Sequence, residues 1–180
     1  LTMDIPGFSK VEQTFFDRSG REKITAKMPY LVVDNFPGLG LLTSLRFLEW
    51  VAANPEGVIS LPTGKTPEYF IKWTKYLLNN WDKPEAIKIR EDNGLFIKEK
   101  PSLNRLHFVQ IDEFYPINPR QHNSFFDYVV NYYIEGFDLD PSRALLINCE
   151  EITLAEGKHF SEVFPDNIID LSLRNREAAS

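Results

Sequence analysis

At 180 residues and 43% hydrophobic content, the chain has the length and apolar fraction of one globular domain with an ordinary core, and two domains would be crowded. A net charge of −6 and a pI near 5.1 argue against a general nucleic-acid or anionic-membrane surface, because such surfaces need clustered Lys and Arg. Cys149 has no second cysteine to pair with, which fits a reducing compartment and reads as a small apolar residue rather than a nucleophile. No signal peptide is visible and no apolar run approaches about 18 residues, so a soluble, cytoplasmic chain is expected.

Residues 1–29 mix charges with Phe8, Phe15 and Phe16 and read as an irregular or partly helical arm packed on the domain. Leu31-Val32-Val33-Asp34 is a candidate strand. After Pro37-Gly38, the residues Leu41, Leu42, Leu45, Leu48 and Ala52 recur at helical spacing up to Asn54-Pro55. Gly38-Leu39-Gly40 invites a dinucleotide-binding reading. The third glycine position of that fingerprint is Thr43, however, and the following strand ends in Leu61-Pro62 where a ribose-binding acid is wanted.

The stretch from Gly57 to Glu68 reads as strand, anion loop and helix start. Val58, Ile59 and Leu61 favour a strand, and Pro62 and Gly64 end it. Thr66 is placed as an N-cap, with Pro67 at the first helical position. The helix dipole, the Thr63 and Thr66 hydroxyls, the Gly64 amide and the Lys65 ammonium then converge on a place for a phosphate. It is not the P-loop, whose glycines, Lys and Ser/Thr come in another order. The helix is expected to run to about Asn80 with Tyr69, Phe70, Trp73, Leu77 and Trp81 toward the sheet. Residues 82–105 are charge-rich and read as a solvated insertion with a hairpin at Asn93-Gly94.

Leu106-His107-Phe108-Val109-Gln110-Ile111 is the next strand, and it delivers Asp112-Glu113 to its carboxyl end, the edge where open parallel sheets bind ligands. A carboxylate there should be partly desolvated and its pKa raised, which suits proton transfer. The 114–123 loop leads to Ser124 as N-cap of a helix with Phe125, Phe126, Val129, Val130 and Tyr133 on one face, ended by Gly136. Residues 144–148 form another strand, and broken helix follows around Pro165. Strands alternating with helices imply a doubly wound, Rossmann-like parallel α/β sheet of about four strands with right-handed crossovers. His107, sitting in a strand, is expected to be packed. His122, in the loop after Asp112, is a candidate site residue, and His159 completes a set with no metal-ligand spacing, so no metal is expected.

Leu61-Pro62-Thr63-Gly64-Lys65-Thr66-Pro67 resembles the Pro-Thr-Gly-x-Thr-Pro phosphate loop of the glucosamine-6-phosphate deaminases (isomerases). Ile111-Asp112-Glu113-Phe114 with Ser124-Phe125 is similar to that family's Met-Asp-Glu-Tyr followed by Ser-Tyr, and Phe137-Asp138-Leu139-Asp140-Pro141 looks like the segment before its next strand. The resemblance covers residues 31–150. It implies ring opening of an amino-sugar phosphate, aldose-ketose isomerisation and loss of ammonia, giving fructose 6-phosphate from glucosamine 6-phosphate. Asp112, with Glu113 beside it, would be the acid/base at C1 and C2, and Thr63, Gly64, Lys65 and Thr66 would hold the phosphate, with His122 and Ser124 as further candidates.

Three departures accompany the resemblance. Lys65 stands where the family usually has a small residue, His122 lies one position beyond the family's histidine, and the family's Asp-Gly-His stretch belongs to a second half. The chain opens on Leu1 and stops at residues 174–180 in what reads as helix interior, so a single domain incomplete at its C-terminus is expected. On that expectation the 180-residue chain alone should release little ammonia. The alternatives are a non-catalytic sugar-phosphate sensor and a 6-phosphogluconolactonase, whose family usually carries Asp-Glu-Arg at the acid motif. The expected partner is a small-molecule sugar phosphate, with no cofactor, no nucleic acid and no membrane, and self-association into a homo-oligomer is expected from an uncovered sheet edge.

Overall fold

The computed structural model describes residues 7–22, 30–115, 117–151, 158 and 162. His159, Pro165 and the expected helix around them lie outside the described residues. The arm begins with helix α1 (Lys10–Ser19), fixed at its start by a reciprocal capping box: Ser9 accepts from the Glu12 amide, and the Glu12 carboxylate accepts from the Ser9 amide at 2.8 Å. Helix α2 (Phe36–Ala53) follows, capped by the Asn35 side chain with Pro37 in its first turn. The expected strand over residues 31–34 does not form. Leu31 and Val33 pack on the core while Val32 stays exposed, so the alternation of a strand is present without ladder bonds to a neighbour.

Strand β1 (Val58–Ile59) leads into helix α3 (Glu68–Asn79), whose Phe70, Ile71, Thr74, Leu77 and Leu78 are buried while Tyr69 is exposed. The expected charged insertion carries a helix, α4 (Pro84–Asp92), with Pro84 in its first turn. The hairpin at Asn93-Gly94 is instead the end of that helix. Gly94 has φ +84°, the left-handed conformation of a helix C-terminus, and the Leu95 amide reaches back to the Arg90 carbonyl at 2.8 Å. Nor is the segment simply solvated. Ala86, Arg90, Leu95 and Leu103 are buried, and the Arg90 guanidinium stacks 3.6 Å from the Trp81 ring while donating to the Trp81 and Ile97 carbonyls.

Strands β2 (His107–Val109) and β3 (Ala144–Leu145) complete a parallel sheet of three strands among the described residues, in the order β1-β2-β3, rather than the four expected. Between them lie helix α5 (Phe125–Val129), a π-helical turn (Val130–Ile134) and a 3-10 turn (Pro141–Arg143). Register aligns Ile59, Phe108 and Ala144 on one face of the sheet. From Phe108 an aromatic chain crosses the core. Tyr133 lies on Phe108, Phe137 on Tyr133, and Phe47 of α2 and Phe70 of α3 meet Phe137 with ring centroids 5.9 and 5.8 Å away. Val58, His107 and Leu145 point to the opposite, exposed face, which corrects the expectation of a packed His107. The arrangement is α/β and Rossmann-like, as the sequence predicts.

Candidate functional site

Three loops leave the carboxyl edge of the sheet side by side. After β1, the Ser60 hydroxyl donates to the Val109 carbonyl at 2.7 Å, tying the start of the loop to the end of β2. The Tyr133 hydroxyl then donates to the Pro62 carbonyl, and the Tyr128 hydroxyl donates to the Gly64 carbonyl at 2.8 Å. Gly64 adopts φ +92°, a conformation that L side chains rarely accept, although a Cβ there would meet nothing within 4 Å. Backbone conformation, not crowding, calls for glycine.

Helix α3 starts one residue later than expected. The Lys65 carbonyl accepts from the Glu68 amide at 3.3 Å, closing a turn, and the capping position falls on Pro67, so Thr66 does not cap. Pro67 makes no side-chain cap to the first-turn amides. Lys65 and Thr66 are exposed and Thr63 is half-buried.

At the end of β2 the buried Gln110 side chain joins two strand exits. Its Nε2 donates to the Asp112 carbonyl at 2.8 Å and its Oε1 accepts from the Ile147 amide at 3.0 Å. Asp112 itself is exposed, so the partial desolvation expected of it is not observed. Glu113 turns the other way. Its carboxylate accepts from the Ser124 hydroxyl (2.7 Å), the Phe125 amide (3.0 Å), the Phe126 amide (2.7 Å) and its neighbour Phe114 (2.9 Å). It therefore serves as the anion at the N-terminus of α5, where amides and dipole favour a negative charge. Ser124, fully buried, is the N-cap the sequence predicts, accepting from the Asp127 amide at 3.3 Å.

The 62–66 loop divides two cavities. One, of about 620 Å³, is lined by Gly64, Lys65, Lys72, His122, Ser124 and Tyr128, among others, so two candidate segments, the 63–66 loop and the 122–124 stretch, meet around it. The other, of about 470 Å³, is lined by Pro62, Thr66, Gly40, Arg46, Trp50 and Phe36. Asp112 lines neither. His107, at the opposite end of β2, lies with its Nε2 3.0 Å from the Arg143 guanidinium, away from the site. Burial pushes the Tyr128 hydroxyl up to about 12 and that of Tyr133 further, so both stay protonated and able to donate. Burial also raises the Cys149 thiol, the opposite of what a nucleophilic thiolate needs.

Sequence reasoning placed the 63–66 loop and Asp112 on one sheet edge, with His122 in the loop that follows, but it missed Gln110, Tyr128 and the loop contact of Tyr133. Gln110 carries a readable signal, a long amide at the end of an apolar run. Tyr133 read only as part of a helix face, and Tyr128 was not singled out.

A solved structure titled as that of a monomeric glucosamine-6-phosphate deaminase, "missing link of the NagB superfamily", matches with a TM-score of 0.54 and 19% identity. The fold resembles that deaminase's. The match covers 67% of this chain and 43% of that one, so the chain spans less than half the length of the deaminase. No family model and no curated protein matches the chain. At 19% identity the likeness speaks to the fold, and the function rests on the site. Among the described residues, no helix is long and apolar enough to cross a membrane.

Proposed function

We propose that the chain carries the sugar-phosphate-binding part of an amino-sugar-phosphate isomerase/deaminase that converts glucosamine 6-phosphate into fructose 6-phosphate and ammonia. The observation that carries this reading is the juxtaposition of an α3 N-terminus without a side-chain cap, preceded by the Thr63-Gly64-Lys65-Thr66 loop, with Asp112 at the exit of the adjacent parallel strand. Neighbouring strands lie roughly 4.8 Å apart, within reach of one hexose phosphate. Loop amides, hydroxyls and the Lys65 ammonium hold the phosphate. Asp112 takes the proton from C2 of the ring-opened sugar and delivers it to C1. The resulting imine at C2 adds water and releases ammonia, leaving the ketone. Glu113 fixes the α5 end of the site rather than moving the proton.

The test pairs binding with turnover. Lys65→Ala should weaken glucosamine 6-phosphate binding about tenfold in calorimetry. Asp112→Asn should leave that affinity near normal while turnover of the complete enzyme falls by about 10²–10⁴. Unchanged affinity in both Lys65→Ala and Thr66→Ala would sink the phosphate assignment. Binding without turnover in the complete protein would select a non-catalytic sensor, and hydrolysis of a phosphogluconolactone would select a lactonase.

A further inference from the structure

Two tyrosines of one helix hold the backbone of the phosphate loop. The Tyr133 hydroxyl donates to the Pro62 carbonyl and the Tyr128 hydroxyl to the Gly64 carbonyl, so both carbonyls are drawn toward the helix that runs from α5 into the π turn. In a trans peptide the carbonyl and the following N–H point in opposite directions. Pinning the Pro62 and Gly64 carbonyls on one side therefore turns the Thr63 and Lys65 amides to the other. Two parallel amides two residues apart form an anion-binding concavity of the kind that successive backbone N–H groups make.

We infer that Tyr128 and Tyr133 are positioning residues whose hydroxyls aim the Thr63 and Lys65 amides at the phosphate. This rests on the sugar-phosphate reading above and adds how the loop is set before ligand arrives. The π turn makes the pairing possible. Residues five apart stand roughly 140° apart around an ordinary α-helix, where two hydroxyls could not serve one loop. Across the π turn the Glu135 amide bonds to the Val130 carbonyl five residues back at 2.9 Å, which brings Tyr128 and Tyr133 onto one side with ring centroids 5.9 Å apart. Tyr133 is fully buried on Phe108 and Phe137, so its hydroxyl is held by the core, while Gly64 at positive φ lets the chain turn between the two anchored peptides.

The test uses the full 180-residue chain, ¹⁵N-labelled, titrated with inorganic phosphate and with glucosamine 6-phosphate. In the wild type the Thr63 and Lys65 amide resonances should move most and saturate with binding. In Tyr128→Phe and Tyr133→Phe both ligands should bind about tenfold more weakly and the shifts of those two amides should shrink, and in Tyr128→Phe the thermal midpoint should stay close to the wild type's. A hydroxyl that only stabilised the fold would move the midpoint and leave the affinity of the folded protein unchanged. If the variants bind phosphate as the wild type does, the inference is overturned and the sugar-phosphate reading stands; if wild-type binding moves amides outside the 62–66 loop instead, both fall. If the wild type binds neither ligand, both fall. Should Tyr133→Phe not fold, Tyr128→Phe, whose side chain is only half-buried, decides the matter.

Discussion

Asp112 and Glu113 are chemically alike and adjacent, yet the fold gives them opposite surroundings. Glu113 accepts four hydrogen bonds at the start of α5, whereas the Asp112 side chain is exposed at the sheet edge. Glu113→Ala strands the Ser124 hydroxyl and two helix amides and should cost about 2–4 kcal/mol in urea denaturation, while Asp112→Asn should change stability by less than about 0.5 kcal/mol. Equal stability of the two variants would remove the capping role. The acid pair was legible in the sequence because an apolar strand ends there. The division of labour was not, since the donors to Glu113 arrive from eleven to thirteen residues downstream. Tyrosine ionisation gives a second check at this scale. The folded chain holds the Tyr128 proton more tightly than an ordinary tyrosine, at about 12 against 10.0, and Tyr133 shifts in the same direction. A raised acid contributes stability that is complete below its unfolded value and is lost as pH climbs through the folded one. The stability these tyrosines contribute should therefore be complete and independent of pH near neutrality and fall from about pH 10 toward 12 as they ionise, which tyrosinate absorbance follows. In Tyr128→Phe the Tyr128 contribution to that fall should vanish.

Helices α2 and α3 pack closely against each other, and Gly40 sets their approach. A Cβ on Gly40 would stand 2.4 Å from the Tyr69 Cβ and 2.8 Å from the Phe70 nitrogen. The Gly38-Leu39-Gly40 sequence thus has a packing reason at Gly40 that needs no nucleotide. Gly40→Ala must push the first turn of α3 away from α2 and should cost about 1–3 kcal/mol. Because that same turn follows the proposed phosphate loop, sugar-phosphate affinity should weaken as well. Chemical denaturation and calorimetry on one sample check both, and an Ala variant with wild-type stability would mean that the helices shift apart without cost. Helix α2 was readable because its leucines keep helical spacing. Helix α4 was not, although Pro84 at its start and Gly94 just past its end are the punctuation of a helix. Charged residues between them suggested solvent, but Arg90 buries its stem and places its guanidinium on Trp81, a contact between residues nine apart that periodicity does not register. The 31–34 segment failed in the opposite way, because its alternation is real and a strand exists only where a neighbour supplies ladder bonds.

At the scale of the molecule, the three strands offer unequal faces. Ile59, Phe108 and Ala144 meet the aromatic core, whereas Val58 and Leu145 on the opposite face are 65% and 69% exposed, with Ile111 beyond the strand at 60%. The sequence predicts association through an uncovered edge, and these exposed apolar side chains offer a face as a second surface for it. Apolar side chains standing together on a sheet face are the surface that soluble domains cover or pair. The chain as it stands should self-associate with increasing concentration, and sedimentation velocity should show the dimer or larger species growing at the expense of the monomer. Val58→Lys and Leu145→Lys place like charges on that face and should shift the distribution toward monomer. Because neither residue touches the phosphate loop or the aromatic core, sugar-phosphate affinity should remain at the wild-type value. Should the double variant associate as strongly as the wild type, the contact lies elsewhere, and the apolar rim around Phe36 and Trp50 becomes the surface to charge next.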